Sequence, residues 1–114
     1  MSANITKAYD AAKAYLESQD VTIRRYLYHE GDNYIVAEDD GTIVIAKVAA
    51  RDGEMPPERF TNRQFESVAK RYLEENEIGS CLLRADTISV MMLDDDRGML
   101  RHHRNCLNST TEVC

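Results

Sequence analysis

Thr42-Ile43-Val44-Ile45-Ala46-Lys47-Val48-Ala49-Ala50 is a nearly continuous apolar run broken by one lysine. Short and bounded by turn residues, it reads as a central strand covered on both faces rather than a half-solvated one. Asp39-Asp40-Gly41 before it is a turn signal, and Arg51 to Pro57 after it is a loop with a glycine and two prolines. Beyond the loop, Thr61 and Gln64 stand at capping-box spacing and Phe60 and Phe65 at that of a hydrophobic staple. Phe65, Val68, Ala69, Tyr72 and Leu73 then keep the i, i+3, i+4, i+7, i+8 rule. A helix over roughly 62–76 follows. Strand, loop and helix in this order form a crossover, which lets a later strand run parallel to the central one.

Working outward, Val21–Tyr28 is β-branched and aromatic, and His29-Glu30-Gly31-Asp32-Asn33 separates it from a second short strand, Tyr34–Glu38. Together these read as a hairpin, with the second strand joined tightly and antiparallel to the central one. Ile5, Ala8, Ala12, Tyr15 and Leu16 recur at helical spacing between Ser2 and about Gln19, with Ser2 or Asn4 as N-cap. On the far side, Gly79 stops the second helix, and Cys81–Arg84 and Thr87–Leu93 read as two strand pieces around Ala85-Asp86. Asp94-Asp95-Asp96-Arg97-Gly98 is a solvated turn, and Met99–Leu107 a last strand or short docking segment. The expected fold is α/β, a mixed sheet flanked by two helices in the order α-β-β-β-α-β-β. It forms one domain over 1–107 with a flexible polar tail at 108–114.

The chain has 114 residues, with 14 basic against 20 acidic side chains, a formal net charge of −6, and 43% hydrophobic residues. A chain of this length buries roughly two-thirds of the surface it exposes when unfolded, enough for a core without metal or disulfide staples. No apolar stretch approaches the roughly 20 residues that span a bilayer, and no signal peptide is apparent, so a cytoplasmic protein without membrane contact is expected. Three cysteines, Cys81, Cys106 and Cys114, with no C-x-x-C pair fit reduced thiols. The acidic balance weighs against high-affinity nucleic-acid binding, although it leaves room for a local basic patch.

Several short motifs resemble the YraN-like family of small proteins with a restriction-endonuclease-like fold. Ala14-Tyr15-Leu16 ends the first helix where the family reads A-x-x-Y-L, and Gly31-Asp32-Asn33-Tyr34-Ile35-Val36-Ala37 stands at G-E-I-D-L-I-A. The strand Ile43–Arg51 falls on L-V-F-V-E-V-K-T-R, Arg84-Ala85-Asp86-Thr87-Ile88-Ser89-Val90 on R-F-D-V-V-x-V, and His102–Leu107 on the closing H-I-x-N-A-F. What the resemblance implies is a nuclease scaffold and a link to nucleic-acid metabolism. Its chemical positions are replaced. Tyr9 stands at the helix-one Glu, Tyr34 at the Asp of G-E-I-D, and Lys47 and Ala49 at the Glu and Lys of E-V-K. A nuclease of that type holds a hard divalent cation with carboxylate oxygens on neighbouring strands and keeps a lysine near the attacking water. An ammonium at position 47 repels such a cation.

The expectation is therefore a catalytically degenerate nuclease-fold protein, with no cofactor and no metal, acting by binding a nucleic acid or a partner protein that handles one. Lys47, Tyr34, Arg24 and Arg51 are the candidate phosphate or nucleic-acid contacts. For Lys47 the structural alternative is a snorkelled or ion-paired side chain, with Asp32 as partner. Arg24, Arg25, Tyr26 and Tyr28 interleave cations and rings, a pattern that also suits a half-buried strand. Arg59, Arg63, Lys70 and Arg71 extend a basic rim that Glu58, Glu66, Glu74 and Glu75 dilute. A second possibility is an enzyme with migrated carboxylates, Asp32, Glu30 and Glu38, and Gln64 or Lys70 in place of the lost lysine. A third is a homodimer pairing through Val90-Met91-Met92-Leu93. The metal candidates His29-Glu30-Asp32, Asp94-Asp95-Asp96 and His102-His103-Cys106 have no diagnostic spacing, and nothing in the sequence lowers the Cys106 thiol pKa.

Overall fold

A computed structural model describes residues 5–94, 97–107 and 110–113. The apolar run becomes β3 (Thr42–Asp52), the middle of a mixed sheet, preceded by α1 (Ile5–Ser18), β1 (Thr22–His29) and β2 (Asp32–Asp39). After it come α2 (Asn62–Glu75), β4 (Cys81–Met92), β5 (Gly98–His103) and β6 (Thr110–Val113). The strand order is β1-β2-β3-β4-β5, and β6 pairs with β4. β1, β2 and β3 are consecutive antiparallel neighbours, and β3 and β4 run parallel over Thr42–Asp52 and Leu82–Met92. The α/β class and the order α-β-β-β-α-β-β expected from the sequence are observed over α1–β5, with β6 added after them.

Turn chemistry fixes the register of the first three strands. Glu30 (φ 49°) with Gly31 (φ 85°), and Asp40 (φ 50°) with Gly41 (φ 82°), are left-handed two-residue turns. Such turns match the twist of the strands they join. They place His29 opposite Asp32 and Asp39 opposite Thr42. A one-residue slip would turn every core side chain outward.

Alternation then sorts the sheet into two faces. Tyr34, Val36, Ile43, Ile45, Leu83 and Ala85 pack with Phe65, Val68, Ala69, Tyr72 and Leu73 of α2. On the opposite face Ile35, Ala37, Val44, Ala46, Val48, Ile88 and Val90 pack with Ala8, Ala12 and Leu16 of α1. α2 begins as its sequence dictates: the Thr61 hydroxyl accepts from the Gln64 amide at 3.1 Å and the Thr61 amide donates to Gln64 Oε1 at 3.1 Å. The rings of Phe60 and Phe65 meet edge to face at 5.9 Å. A cap of this kind contributes about 1 kcal/mol.

Three expectations change. The two strand pieces around Ala85-Asp86 are one strand, β4, because the Asp86 carboxylate that signals a turn is satisfied inside the protein by Arg84, His102 and the Asn105 amide. Val90–Met92 is no sheet edge: β3 and β5 pair with it on either side, which removes pairing across a two-fold axis through that strand. Within the stretch expected as tail, Thr110–Val113 forms β6, antiparallel to Cys81–Arg84, where β5 leaves the β4 edge open. Ser2, Asn4, Asp95, Asp96 and Cys114, on which N-cap, metal and thiol readings fell, lie outside the described residues. Among the described residues no helix is long and apolar enough to cross a membrane.

Candidate functional site

The register lines up one row of side chains across the α2 face. Tyr34 pairs with Lys47, Lys47 with Thr87, and Thr87 with His103. In the adjacent row Ala49 pairs with Ser89, and Ser89 with Arg101. Just beyond the start of α2 the sheet is left partly uncovered. A cleft of about 250 Å³ opens there, lined by Lys47, Ala49, Thr87, Ser89, Arg51 and Arg59, with Asp32, Glu58, Pro56 and Pro57 around them.

Lys47 is held from three sides. Its ammonium donates to the Arg59 carbonyl and to Gln64 Oε1 at 3.3 Å, and lies 3.7 Å from Asp32 Oδ2. An ammonium has three protons to give; two go to these acceptors, Asp32 at 3.7 Å adds an ion pair beyond hydrogen-bond reach, and the Phe60 ring lies 6.0 Å away. The side chain is 12% exposed, so pairing is what makes the charge tolerable there. Gln64 Oε1 also closes the capping box, so the same ammonium that fills the cleft wall ties the start of α2 to the sheet. Tyr34 lies beneath, almost fully buried against Phe60. Burial, then the Asp32 and Glu30 charges, raise its hydroxyl well above the ordinary tyrosine range, so it stays protonated.

Of the candidate residues, Lys47, Ala49 and Arg51 line this cleft, Tyr34 stands beside Lys47 in the register and packs on Phe60, and Tyr9 and Arg24 lie elsewhere. Tyr9 is on α1, against the other face, 5.0 Å from the Tyr26 ring. Burial raises its pKa to about 12, against a hydrogen bond from the Tyr34 backbone. Arg24 pairs with Glu38 at 3.0 Å in solvent towards the far end of β2. Arg51 reaches Glu54 at 2.8 Å. The three carboxylates considered as migrated ligands point to different groups: Asp32 to Lys47, Glu38 to Arg24, and Glu30 to the Ser67 hydroxyl at 3.3 Å. Among the described residues no three His, Cys, Asp or Glu side chains gather as a metal set. Lys70 is exposed on α2, away from the role considered for it, while Gln64 does reach the cleft cation.

Two further polar groupings were not legible beforehand. His29 Nε2 lies 2.8 Å from Ser67 Oγ, with Arg71 Nη1 3.5 Å from Nδ1. Arg71 Nη1 also donates to the Tyr28 carbonyl at 2.7 Å and Ser67 Oγ to Glu30 Oε1 at 3.3 Å, so this grouping ties the end of β1 to α2. The second grouping joins the residues of the R-x-D and H-x-x-N motifs. Arg84 Nε and Nη2 each donate at 2.9 Å to the fully buried Asp86, which also meets His102 Nε2 at 2.8 Å and the Asn105 amide at 2.9 Å. Arg84 Nη1 continues to Asp39 at 2.9 Å, and His102 Nδ1 to the Tyr15 hydroxyl at 3.1 Å. Burial pushes the Asp86 carboxyl up, but His102, Arg84 and the Asn105 amide together hold it below its ordinary value. This clamp ties β2, β4, the end of β5 and α1 together and leaves no group of Asp86 or His102 for chemistry. His103 points to the opposite face, 3.2 Å from Glu58. The Cys106 thiol is pushed up to about 11 by burial and then by the Asp86 charge, so the 102–106 stretch offers no ready thiolate.

Thr87 and Ser89 are the cleft residues that sequence reasoning passed over. The signal was their alternation with Leu83 and Ala85, which puts two hydroxyls on an otherwise apolar face of β4. Thr87 is 4% exposed and its hydroxyl has no hydrogen-bond partner among the described residues. Comparison with models of known protein families gives no match to this chain, and comparison with curated proteins gives none either.

Proposed function

We propose that the protein is a catalytically silent relative of the restriction-endonuclease-like nucleases, a module that serves nucleic-acid metabolism by binding and not by metal-dependent hydrolysis. The observation that carries this reading is Lys47: an ammonium shared among Asp32, the Arg59 carbonyl and Gln64 stands where the resemblance puts a metal-binding carboxylate. Metal-assisted phosphodiester hydrolysis needs carboxylate oxygens converging on a divalent cation. Here one carboxylate, Asp32, is neutralised by the protein's own cation, and Ala49 supplies nothing to orient a water.

The test is fluorescence-anisotropy binding of the native protein and Lys47→Glu to short single-stranded, duplex and branched DNA and RNA at low salt, with and without Mg²⁺. Salt-sensitive binding that is indifferent to Mg²⁺, lost in the folded variant and free of cleavage is expected. Cleavage, or stabilisation by a few degrees with Mg²⁺ or Mn²⁺, would overturn the reading. The net charge of −6 favours the second form of the same reading, in which the bound partner is a protein that handles nucleic acid. No binding to any of the nucleic acids moves the weight there.

A further inference from the structure

We infer that the cleft takes one terminal phosphate monoester, of a nucleotide or of a nucleic-acid end, contacted at its floor by the Thr87 and Ser89 hydroxyls and at its rim by Arg51, Arg59 and Arg101. This rests on the binding reading above and specifies the ligand. The Thr87 hydroxyl is the first observation: buried, on the cleft wall, and without a partner among the described residues. A buried hydroxyl without a partner is costly, and an oxyanion seated beside it supplies the missing acceptor. Ser89, 1% exposed, stands two residues along on the same face, and Ala49 beside it is small enough to leave the floor open.

Charge is the second observation. Of the two acids at the cleft, Asp32 is paired with Lys47 at 3.7 Å, and Glu58 lies 3.2 Å from the His103 imidazole. Among the described residues Arg51 is engaged only by Glu54, in solvent, a contact that exchanges readily for a better anion. Arg59, on the cleft, and Arg101, beside Ser89 in the register, have no ion-pair partner among the described residues. The guanidinium groups of Arg51 and Arg59 on the cleft lining, with Arg101 on the neighbouring strand, and the two hydroxyls supply the kind of donor set a phosphate group requires. Four cations, Lys47, Arg51, Arg59 and Arg101, against three carboxylates, Asp32, Glu54 and Glu58, leave this region cationic by one charge on an acidic chain. An extended phosphodiester backbone laid over the molecule would meet the net charge of −6, whereas a single monoester entering end-on concentrates close to two charges and three free oxygens at the cationic spot.

The experiment uses the full chain and a short 3′-labelled oligodeoxynucleotide with or without a 5′-phosphate, read by anisotropy at low salt without divalent ions. Deoxyadenosine monophosphate and inorganic phosphate serve as competitors. The phosphorylated probe is expected to bind about tenfold or more tightly than the unphosphorylated one. Thr87→Val and Arg101→Glu are each expected to weaken it about tenfold, the scale of one hydrogen bond or ion pair to a charged group. Competition by the mononucleotide at similar affinity identifies a free nucleotide as the source, and its failure identifies a nucleic-acid end; both support the site. Equal affinity for the two probes, or unchanged affinity in both variants with native circular dichroism, overturns it. If Thr87→Val does not fold, Arg101→Glu, at an exposed edge position, decides. Mg²⁺-dependent cleavage would instead defeat the catalytically silent reading, so the two failures are distinct.

Discussion

Replacing Lys47 by Met keeps the length of the side chain and removes the ammonium that joins the Arg59 carbonyl, Gln64 and Asp32. The three contacts do not count equally. Gln64 keeps the Thr61 amide as a partner, and Asp32, about a third exposed at 32%, regains water, so its share is discounted for screening. What remains is mainly the charge-assisted bond to the Arg59 carbonyl, about 1.5–3 kcal/mol, partly offset by no longer desolvating a cation. The expected net loss is about 2 kcal/mol, or roughly 8 °C in Tm for a domain of this size. Urea unfolding of native protein and Lys47→Met measures it, with a lower midpoint at unchanged slope. Raising the salt removes only the Asp32 share, so most of the difference persists. A change below about 0.5 kcal/mol, or a difference that vanishes in salt, would refute the claim that this cation ties α2 to the sheet.

Thr87→Val removes an unsatisfied hydroxyl at nearly constant shape and should stabilise the protein by about 1 kcal/mol in urea unfolding, although it weakens phosphate binding; a loss of similar size would refute the unpartnered state. Asp86→Asn deprives Arg84 and His102 of their shared anion and should cost about 3–5 kcal/mol in the same assay. Because the folded Asp86 carboxyl lies below its ordinary value, its contribution is complete above about pH 4 and is lost as pH falls through the folded value. The acid limb of the native stability profile should therefore be steeper than that of the variant, and parallel limbs would contradict the assignment. With its thiol pushed up to about 11, Cys106 should alkylate slowly with iodoacetamide at pH 8, where only about one part in a thousand is thiolate, and peptide mass mapping would expose fast labelling.

Local signals carried much of the fold. Thr61, Gln64, Phe60 and Phe65 specify the start of α2 within six residues of chain, and the capping box and ring contact form as read. Glu30-Gly31 and Asp40-Gly41 similarly announce their hairpins. What failed to show was non-local. Asp86 looks like a turn residue until Arg84, His102 and Asn105, up to 19 positions away, are brought to it by the register of β4 and β5. Tyr9 follows from alignment to a helix-one position, but amphipathic spacing does not tell which sheet face the helix covers, and α1 covers the one opposite Lys47. The Asp32–Lys47 pair was legible because an ammonium in an apolar strand must find an acid. Thr87 and Ser89 acquire meaning only once parallel pairing sets them beside Lys47 and Ala49.

The central claim is that the protein's own ammonium occupies the place of a metal-ligand carboxylate, and calorimetric titration of Mn²⁺ into native protein and Lys47→Glu tests it most directly. The account predicts no ion-dependent heat or stabilisation in the native protein. In Lys47→Glu it predicts saturable uptake that Asp32→Asn abolishes, with about 2.7 kcal/mol of stabilisation at an ion concentration a hundredfold above Kd. Saturable Mn²⁺ binding by the native protein that Asp32→Asn removes would contradict it.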